Sequence, residues 1–185
     1  SKLFKRNKFS YIVEIGCGYG SKLLEIPRSI NDLKKINLVG LDISKNGLDI
    51  ANFFAEKYDY SLETYIFNFR EEKIKKFSFQ DSLLLSNYSL HYHKEFSVQN
   101  ILDFIHAGVI AGIHFEPCSK LISKFCDYNY AQICEKYIYN NDYTSNISDA
   151  FYKAEDLEII NLTVSKRICG NRFLPGTYII WEKND

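Results

Sequence analysis

Tyr11-Ile12-Val13-Glu14-Ile15-Gly16-Cys17-Gly18-Tyr19-Gly20 decides how the rest of this 185-residue chain is read. Tyr11, Ile12, Val13 and Ile15 are aromatic or β-branched, which is the composition of a short buried strand. Gly16, Gly18 and Gly20 then alternate directly ahead of a helical pattern that opens near Ser21. Glycines at that spacing let the backbone turn tightly and come close to a ligand, because no Cβ stands in the way. Glu14 sits at the end of the strand, where a carboxylate can accept hydrogen bonds from a ligand's polar groups. A strand, a glycine loop and a helix N-terminus in that order make a nucleotide-like site at the carboxyl edge of a parallel sheet.

Working outward, Ile36 to Ile43 is a second buried strand that ends on an acid, Asp42, 22 positions after Gly20. That is close to the spacing at which a carboxylate meets ribose hydroxyls in nucleotide folds, since two adjacent hydroxyls can both donate to it. Helix capping is the alternative for Asp42, and Ser44 could serve it too.

The pattern Glu14-x-Gly16-x-Gly18-x-Gly20 resembles the first motif of class I S-adenosylmethionine-dependent methyltransferases, and Leu38 to Ala51 resembles their second. The resemblance implies a Rossmann-like three-layer α/β sandwich with a seven-stranded, mostly parallel sheet whose last strand runs antiparallel. It implies S-adenosylmethionine as cofactor, with Glu14 at the aminoacyl end and Gly16, Cys17, Gly18 and Gly20 wrapping the ligand. Asp42 and Ile43 would hold the ribose and adenine from the tip of the second strand. The family places an acid or amide after the third strand against the adenine amino group. Thr64 to Phe69 reads as that strand, so Asn68 or Phe69 takes this place, although the usual Asp is missing. A plain surface Asn is the alternative.

A fourth strand, Ser82 to Ser86, opens onto Asn87-Tyr88-Ser89-Leu90-His91-Tyr92-His93. In a doubly wound sheet this loop faces the ligand, so Asn87 joins the expected cofactor contacts. Amino-methyltransferases acting on nucleic-acid bases often carry two prolines here; none is present, and the phrase looks more like that of members acting on small molecules. Phe96 to His106 is helical, and the stretch Ala107 to Pro117 gives a turn and a fifth strand. His114 and Glu116 are two apart and share one side of that strand. His91, His93, His114 and Glu116 are therefore the candidates for activating an acceptor, as acid–base or positioning groups. Imidazoles with a carboxylate could instead hold zinc, iron or nickel.

Ser119 to Asn140 reads as one helix, and its tyrosines serve either packing or the wall of a substrate pocket. Ser148 to Asp156 is a further helix. Leu157 to Ile168 and Leu174 to Glu182 are the closing strands, joined through Cys169-Gly170-Asn171-Arg172. A helix from Ser21 to Lys35 is expected to be kinked or shortened by Pro27.

Composition bounds the rest. Lys+Arg 23 against Asp+Glu 23 gives no net charge, which argues against a domain built to hold a phosphate backbone. Lys5-Arg6-Lys8 and Lys73-Lys75-Lys76 read as solvated faces. The five cysteines form no C-x-x-C pair, which argues against a disulfide framework and a zinc site. With no long apolar run or signal peptide, the expectation is a soluble, cytoplasmic, single domain over residues 1–185. The chain starts at Ser1 and contains no Met, and little of it precedes Tyr11 to cover a substrate, so N-terminal helices could be missing.

The expected activity is methyl transfer to a small or medium-sized acceptor, at oxygen or nitrogen. Two other classes stay open. One is a nicotinamide-dependent oxidoreductase, although the dinucleotide fingerprint spaces its third glycine one residue later. The other is a non-catalytic ligand-binding or partner domain.

Overall fold

The computed structural model describes residues 8–30, 33, 36–93, 95–165 and 171–184. The β-branched and aromatic run Tyr11–Ile15 forms β1, and Ser21–Ser29 forms α1. β2 is Asn37–Asp42, α2 is Lys45–Lys57 and β3 is Leu62–Ile66. After a 3-10 turn at Ile74–Lys76 come β4, Ser82–Asn87, and a second 3-10 turn at Leu90–Tyr92. Then follow α3, Val98–His106, and β5, Val109–Pro117. The helices α4, Ser119–Phe125, α5, Tyr128–Asn140, and α6, Ile147–Lys153, lead to β6, Leu157–Val164, and β7, Gly176–Lys183.

The seven strands form one sheet in the order β3-β2-β1-β4-β5-β7-β6. β1 lies between β2 and β4, both parallel to it, with Glu14 opposite Gly40 and Leu85. β7 is inserted antiparallel between β5 and β6. The order reverses between β1 and β4, so the loops after β1 and β4 diverge to opposite faces and leave a crevice at their carboxyl ends.

Period-two alternation along the strands builds the two cores. On one face Val13, Leu41 and Leu84 pack with Phe104 of α3, Phe151 of α6 and Trp181 of β7. On the other, Ile12, Leu38 and Leu83 pack with Leu23 and Leu24 of α1 and Ala55 of α2. A smaller cluster of Ile122, Ala131, Cys134, Ile138 and Leu174 takes in Tyr130, Tyr137 and Tyr143 at its margin. Most of the tyrosine-rich segment is therefore packing, while Tyr128 and Tyr139 stand in solvent.

Several boundaries differ from the sequence reading, and three of the differences have a local reason. β3 runs over Leu62–Ile66 instead of Thr64 to Phe69, because its partner β2 ends at Asp42, opposite Ile66. Asn68 and Phe69 thus lie in a turn, where Asn68 Oδ1 accepts from Arg70 N at 3.1 Å. The helix expected over Ser119 to Asn140 is two helices. Asp127 breaks it by capping α5, its carboxylate accepting from Asn129 N at 3.0 Å and Tyr130 N at 3.3 Å. α1 stops at Ser29, two residues past Pro27, with Ile30 extended. Lys35, Ile168 and the Cys169-Gly170 link fall outside the described residues, as do Lys5 and Arg6. Among the described residues no helix is long and apolar enough to cross a membrane.

Candidate functional site

The glycine loop folds back over the tip of β2: Gly16 N and Cys17 N both donate to Leu41 O, at 2.7 and 3.2 Å. Gly16, Gly18 and Gly20 all have positive φ, +71°, +54° and +77°, which explains the residue type at each. Their surroundings differ. A Cβ on Gly16 would fall 2.4 Å from that of Ser89, so this glycine lets the loop after β4 close onto the loop after β1. A Cβ on Gly20 would come within 3.1 Å of Ala51, tight against α2, whereas one on Gly18 would meet nothing within 4 Å. Gly18 faces open space.

Asp42 ties this loop to β2. Its Oδ2 accepts from Gly18 N and its Oδ1 from Ser44 N, both at 2.7 Å. The capping role belongs to Ser44, whose hydroxyl accepts from Gly47 N at 3.2 Å. Each carboxylate oxygen retains a further lone pair. Cys17 turns inward against Gly40, and burial first, then the carboxylates of Glu14 and Asp42, push its thiol up to about 12. It is a packing residue.

Glu14 is buried beneath the loop, and its Oε2 has no hydrogen-bond partner. Burial pushes its carboxyl from 4.5 up to about 8, against the pull of the Leu23 amide and Lys22, with Asp42 adding to the rise. A buried acid so raised binds its proton more tightly folded than unfolded. Its contribution to stability is full below about 4.5 and is lost as pH rises through about 8. Glu14→Gln should remove that decline, so that urea unfolding of parent and variant, run at a series of pH values, diverges across this window. Parallel curves would mean that Glu14 is not held neutral.

A cavity of about 510 Å³ opens beside the loop, walled by Gly16 from β1, Asp42 and Ile43 from β2, Asn68 to Arg70 after β3, and Tyr88, Ser89, Tyr92 and His93 after β4. Ile43 presents an exposed apolar face there. Phe69 leans on His93, ring centroids 5.0 Å apart, and on Phe104 behind it. The expected contact Asn87 continues β4 opposite Phe115, and the wall is instead the next two residues. Tyr88 adopts φ +53°, uncommon for a bulky residue, and its hydroxyl anchors it to Leu174 O at 2.6 Å. The sequence does not single out Tyr88, Ser89, Tyr92 or Arg70 as site residues; the first three sit in the phrase around His91, and Arg70 carries no signal of its own.

The four acid–base candidates separate. Glu116 is wholly buried and gathers the turn after β4: Ser89 N and Leu90 N donate to its Oε1 at 3.0 and 3.1 Å, and His91 Nδ1 donates to Oε2 at 3.2 Å. Burial alone would raise this carboxyl, but the His91 hydrogen bond and the two amides outweigh it and hold it below the ordinary carboxylate value. Glu116 and His91 therefore support the cavity wall from behind. His114 lies on the other side of the problem, in the core: its Nδ1 meets Ser86 Oγ at 2.8 Å and its Nε2 accepts from Trp181 Nε1 at 2.9 Å. Burial pushes it down to about 4. With both nitrogens occupied it has no position from which to take a substrate's proton. His93 alone lines the cavity; burial lowers its pKa and its Nδ1 lacks a partner. Among the described residues, no three His, Cys, Asp or Glu side chains converge on a metal-sized site.

The sequence matches no protein-family model and no curated protein. Solved structures do match in shape. A methyltransferase dependent on S-adenosylmethionine from Aquifex aeolicus superposes with a TM-score of 0.61 at 10% identity, over 97% of this chain and 87% of that one. Geranyl diphosphate C-methyltransferase from Streptomyces coelicolor, solved with Mg2+, geranyl diphosphate and S-adenosyl-L-homocysteine, gives 0.57 at 11% identity over 96% and 74%. TehB from Haemophilus influenzae gives 0.58 at 14% identity, over 99% of this chain and 60% of that one. The chain has the class I methyltransferase fold. In that fold the crevice between β1 and β4 is the one walled here by the glycine loop, Asp42 and the segment Tyr88 to His93.

Proposed function

We propose that the protein transfers a methyl group from S-adenosylmethionine to a small or medium-sized acceptor, at oxygen or nitrogen. The observation that carries this reading is the cavity itself. It lies at the reversal of strand order and joins the glycine loop, the β2 acid and the β4 loop in one wall. The residues fit such a cofactor. Gly18 leaves open space where a side chain would stand, and Glu14 keeps an unpartnered carboxyl oxygen beneath the loop.

When bound, S-adenosylmethionine supplies a methyl group on a sulfonium, whose transfer breaks the carbon–sulfur bond and leaves a neutral thioether. Asp42, held in place by Gly18 and Ser44, accepts from the ribose hydroxyls with its remaining lone pairs. Ile43 offers its exposed face to the adenine. Asn68 Oδ1, already bonded to Arg70 N, accepts from the adenine amino group with its second lone pair. His93, which lines the cavity, takes the proton that the acceptor gives up as its lone pair closes on the methyl carbon. Positioning supplies most of the remaining rate, because in-line approach inside a walled cavity replaces a bimolecular encounter.

S-adenosylhomocysteine should raise the melting temperature, since a ligand that binds only the folded state stabilises it by mass action. NADH should leave it unchanged. Asp42→Ala should weaken S-adenosylhomocysteine about tenfold, or about 1.4 kcal/mol, by isothermal titration. His93→Gln should lower turnover while leaving that affinity intact. A shift with NADH and none with S-adenosylhomocysteine would point to the oxidoreductase class instead.

A further inference from the structure

We propose that the acceptor is a flat aromatic molecule bearing a carboxylate, and that Arg70 is the residue that pairs with that group. The inference rests on the methyl-transfer reading and names the class of its second substrate.

Arg70 follows β3 and lines the cavity. Its backbone amide is fixed by Asn68 Oδ1, and its side chain reaches across to the loop after β4, donating from Nε to Tyr92 O at 2.6 Å. That bond orients the guanidinium and leaves its two Nη groups for a ligand. Among the described residues, Arg28, Lys45, Lys75, Lys76 and Lys120 each pair with a carboxylate; Arg70 pairs with none. The only acid in the cavity wall is Asp42, and both of its oxygens already hold backbone amides. His93, the other basic residue in the wall, has its pKa lowered by burial. Arg70 thus enters the cavity wall as a planar fork with no carboxylate paired to it.

A carboxylate matches that fork, since two oxygens meet two parallel N–H groups. A phosphate ester would bring a second charge and a third oxygen, for which the wall offers no further cation. Several of the other wall residues are aromatic. Tyr88, Tyr92 and Phe69 line the cavity, and Tyr92 is 46% exposed, its ring held by His91 at a centroid distance of 4.1 Å and by an edge-on contact with Tyr143 at 5.2 Å. An exposed, braced ring is a stacking surface for another flat ring.

The cofactor carries a carboxylate of its own, but on the methyl-transfer reading its aminoacyl end lies at the glycine loop after β1 and its adenine at Ile43 and Asn68. Arg70 leaves the sheet from β3, which is separated from β1 by β2. The anion it serves is therefore the acceptor's.

The test uses the protein saturated with S-adenosylhomocysteine. The three hydroxybenzoates and the three matching hydroxybenzamides are titrated by ligand-observed NMR. At least one acid should bind about tenfold or more tighter than its neutral amide, as expected for a charge-assisted fork. Arg70→Gln should bring that acid down to the level of its amide, and Arg70→Lys should restore only part of the difference. Affinity for S-adenosylhomocysteine should stay within about twofold in both variants, a change small enough to exclude loss of the cofactor site. Acids and amides binding alike, or none of the six binding, would overturn the proposal. So would a large loss of S-adenosylhomocysteine affinity in Arg70→Gln, which would give the fork to the cofactor's carboxylate. Failure of S-adenosylhomocysteine to bind the parent protein is a separate result: it removes the methyl-transfer reading itself, and this inference with it.

Discussion

Gly18→Val should abolish the thermal shift produced by S-adenosylhomocysteine, with a loss of affinity of about a hundredfold or more, about 2.7 kcal/mol. Nothing lies within 4 Å of the place where a Cβ would stand, so the fold has room for the new side chain. The ligand does not, because that same room is where the loop would wrap it. The substitution also asks a β-branched residue to hold φ +54°, a left-handed conformation that costs roughly 1–2 kcal/mol. The unliganded variant should therefore melt somewhat lower yet remain folded, as judged by circular dichroism. Gly16→Val is a poorer test, since its side chain would drive into Ser89 2.4 Å away and damage the loop packing itself. A Gly18→Val protein that binds like the parent would place the ligand elsewhere and remove the anchor of the functional reading.

The region the test addresses is also the part most legible in the sequence. Tyr11 to Gly20 announces strand, loop and helix because each depends on local chemistry: β-branched side chains for the strand, missing Cβ atoms for the turns. Asp42 could be singled out for the same reason, lying at the tip of a short apolar strand. What it bonds was not legible. The sequence left ribose binding and helix capping as the two readings, while the structure shows the carboxylate already holding Gly18 N, 24 residues away. A tie of that kind depends on β1 and β2 being neighbours, which no local pattern specifies.

The same limit explains the histidines. Period two correctly sets His114 and Glu116 on one side of β5, but parity does not say what packs against that side. Trp181 of the inserted strand β7 does, and it takes His114 Nε2 out of reach of any substrate. The close approach depends on Gly112, where a Cβ would fall 2.3 Å from Trp181 Nε1. Arg70 and Tyr92 illustrate the converse. Neither carries a motif, yet strand order brings the loops after β3 and β4 to one cavity and joins the two residues by a hydrogen bond. The break between α4 and α5 had a readable signal in Asp127, hidden because apolar residues continue on both sides of it. Strand order, more than composition, decides which side chains meet.

Glu116→Ala should be the most destabilising single substitution in the site, by about 3 kcal/mol or more in chemical denaturation, because it leaves several buried donors unsatisfied at about 1–3 kcal/mol each. The carboxylate is fully buried and accepts from Ser89 N, Leu90 N and the His91 ring. Removing it strands all of these donors without water, and each unsatisfied group carries a desolvation penalty. Glu116→Gln should lose less, because one amide oxygen still accepts while the NH2 faces donors it cannot serve. The pH dependence has a definite sign. A carboxyl whose folded pKa lies below its unfolded 4.5 contributes stability that is fully present above that value and is lost below it, as pH falls through the depressed folded value. The parent should therefore weaken more steeply than Glu116→Gln on the acid side of about 4.5, with the two profiles parallel at higher pH, where both acceptors are fixed in charge. Turnover separates this supporting role from direct chemistry. If Glu116 only shapes the wall formed by Tyr88 to His93, Glu116→Gln should lower kcat with its pH profile unshifted and with S-adenosylhomocysteine affinity little changed. A shifted pH optimum in Glu116→Gln would instead make this carboxylate a proton-transfer group, and an unaltered acid limb would mean that it does not hold the turn as an anion.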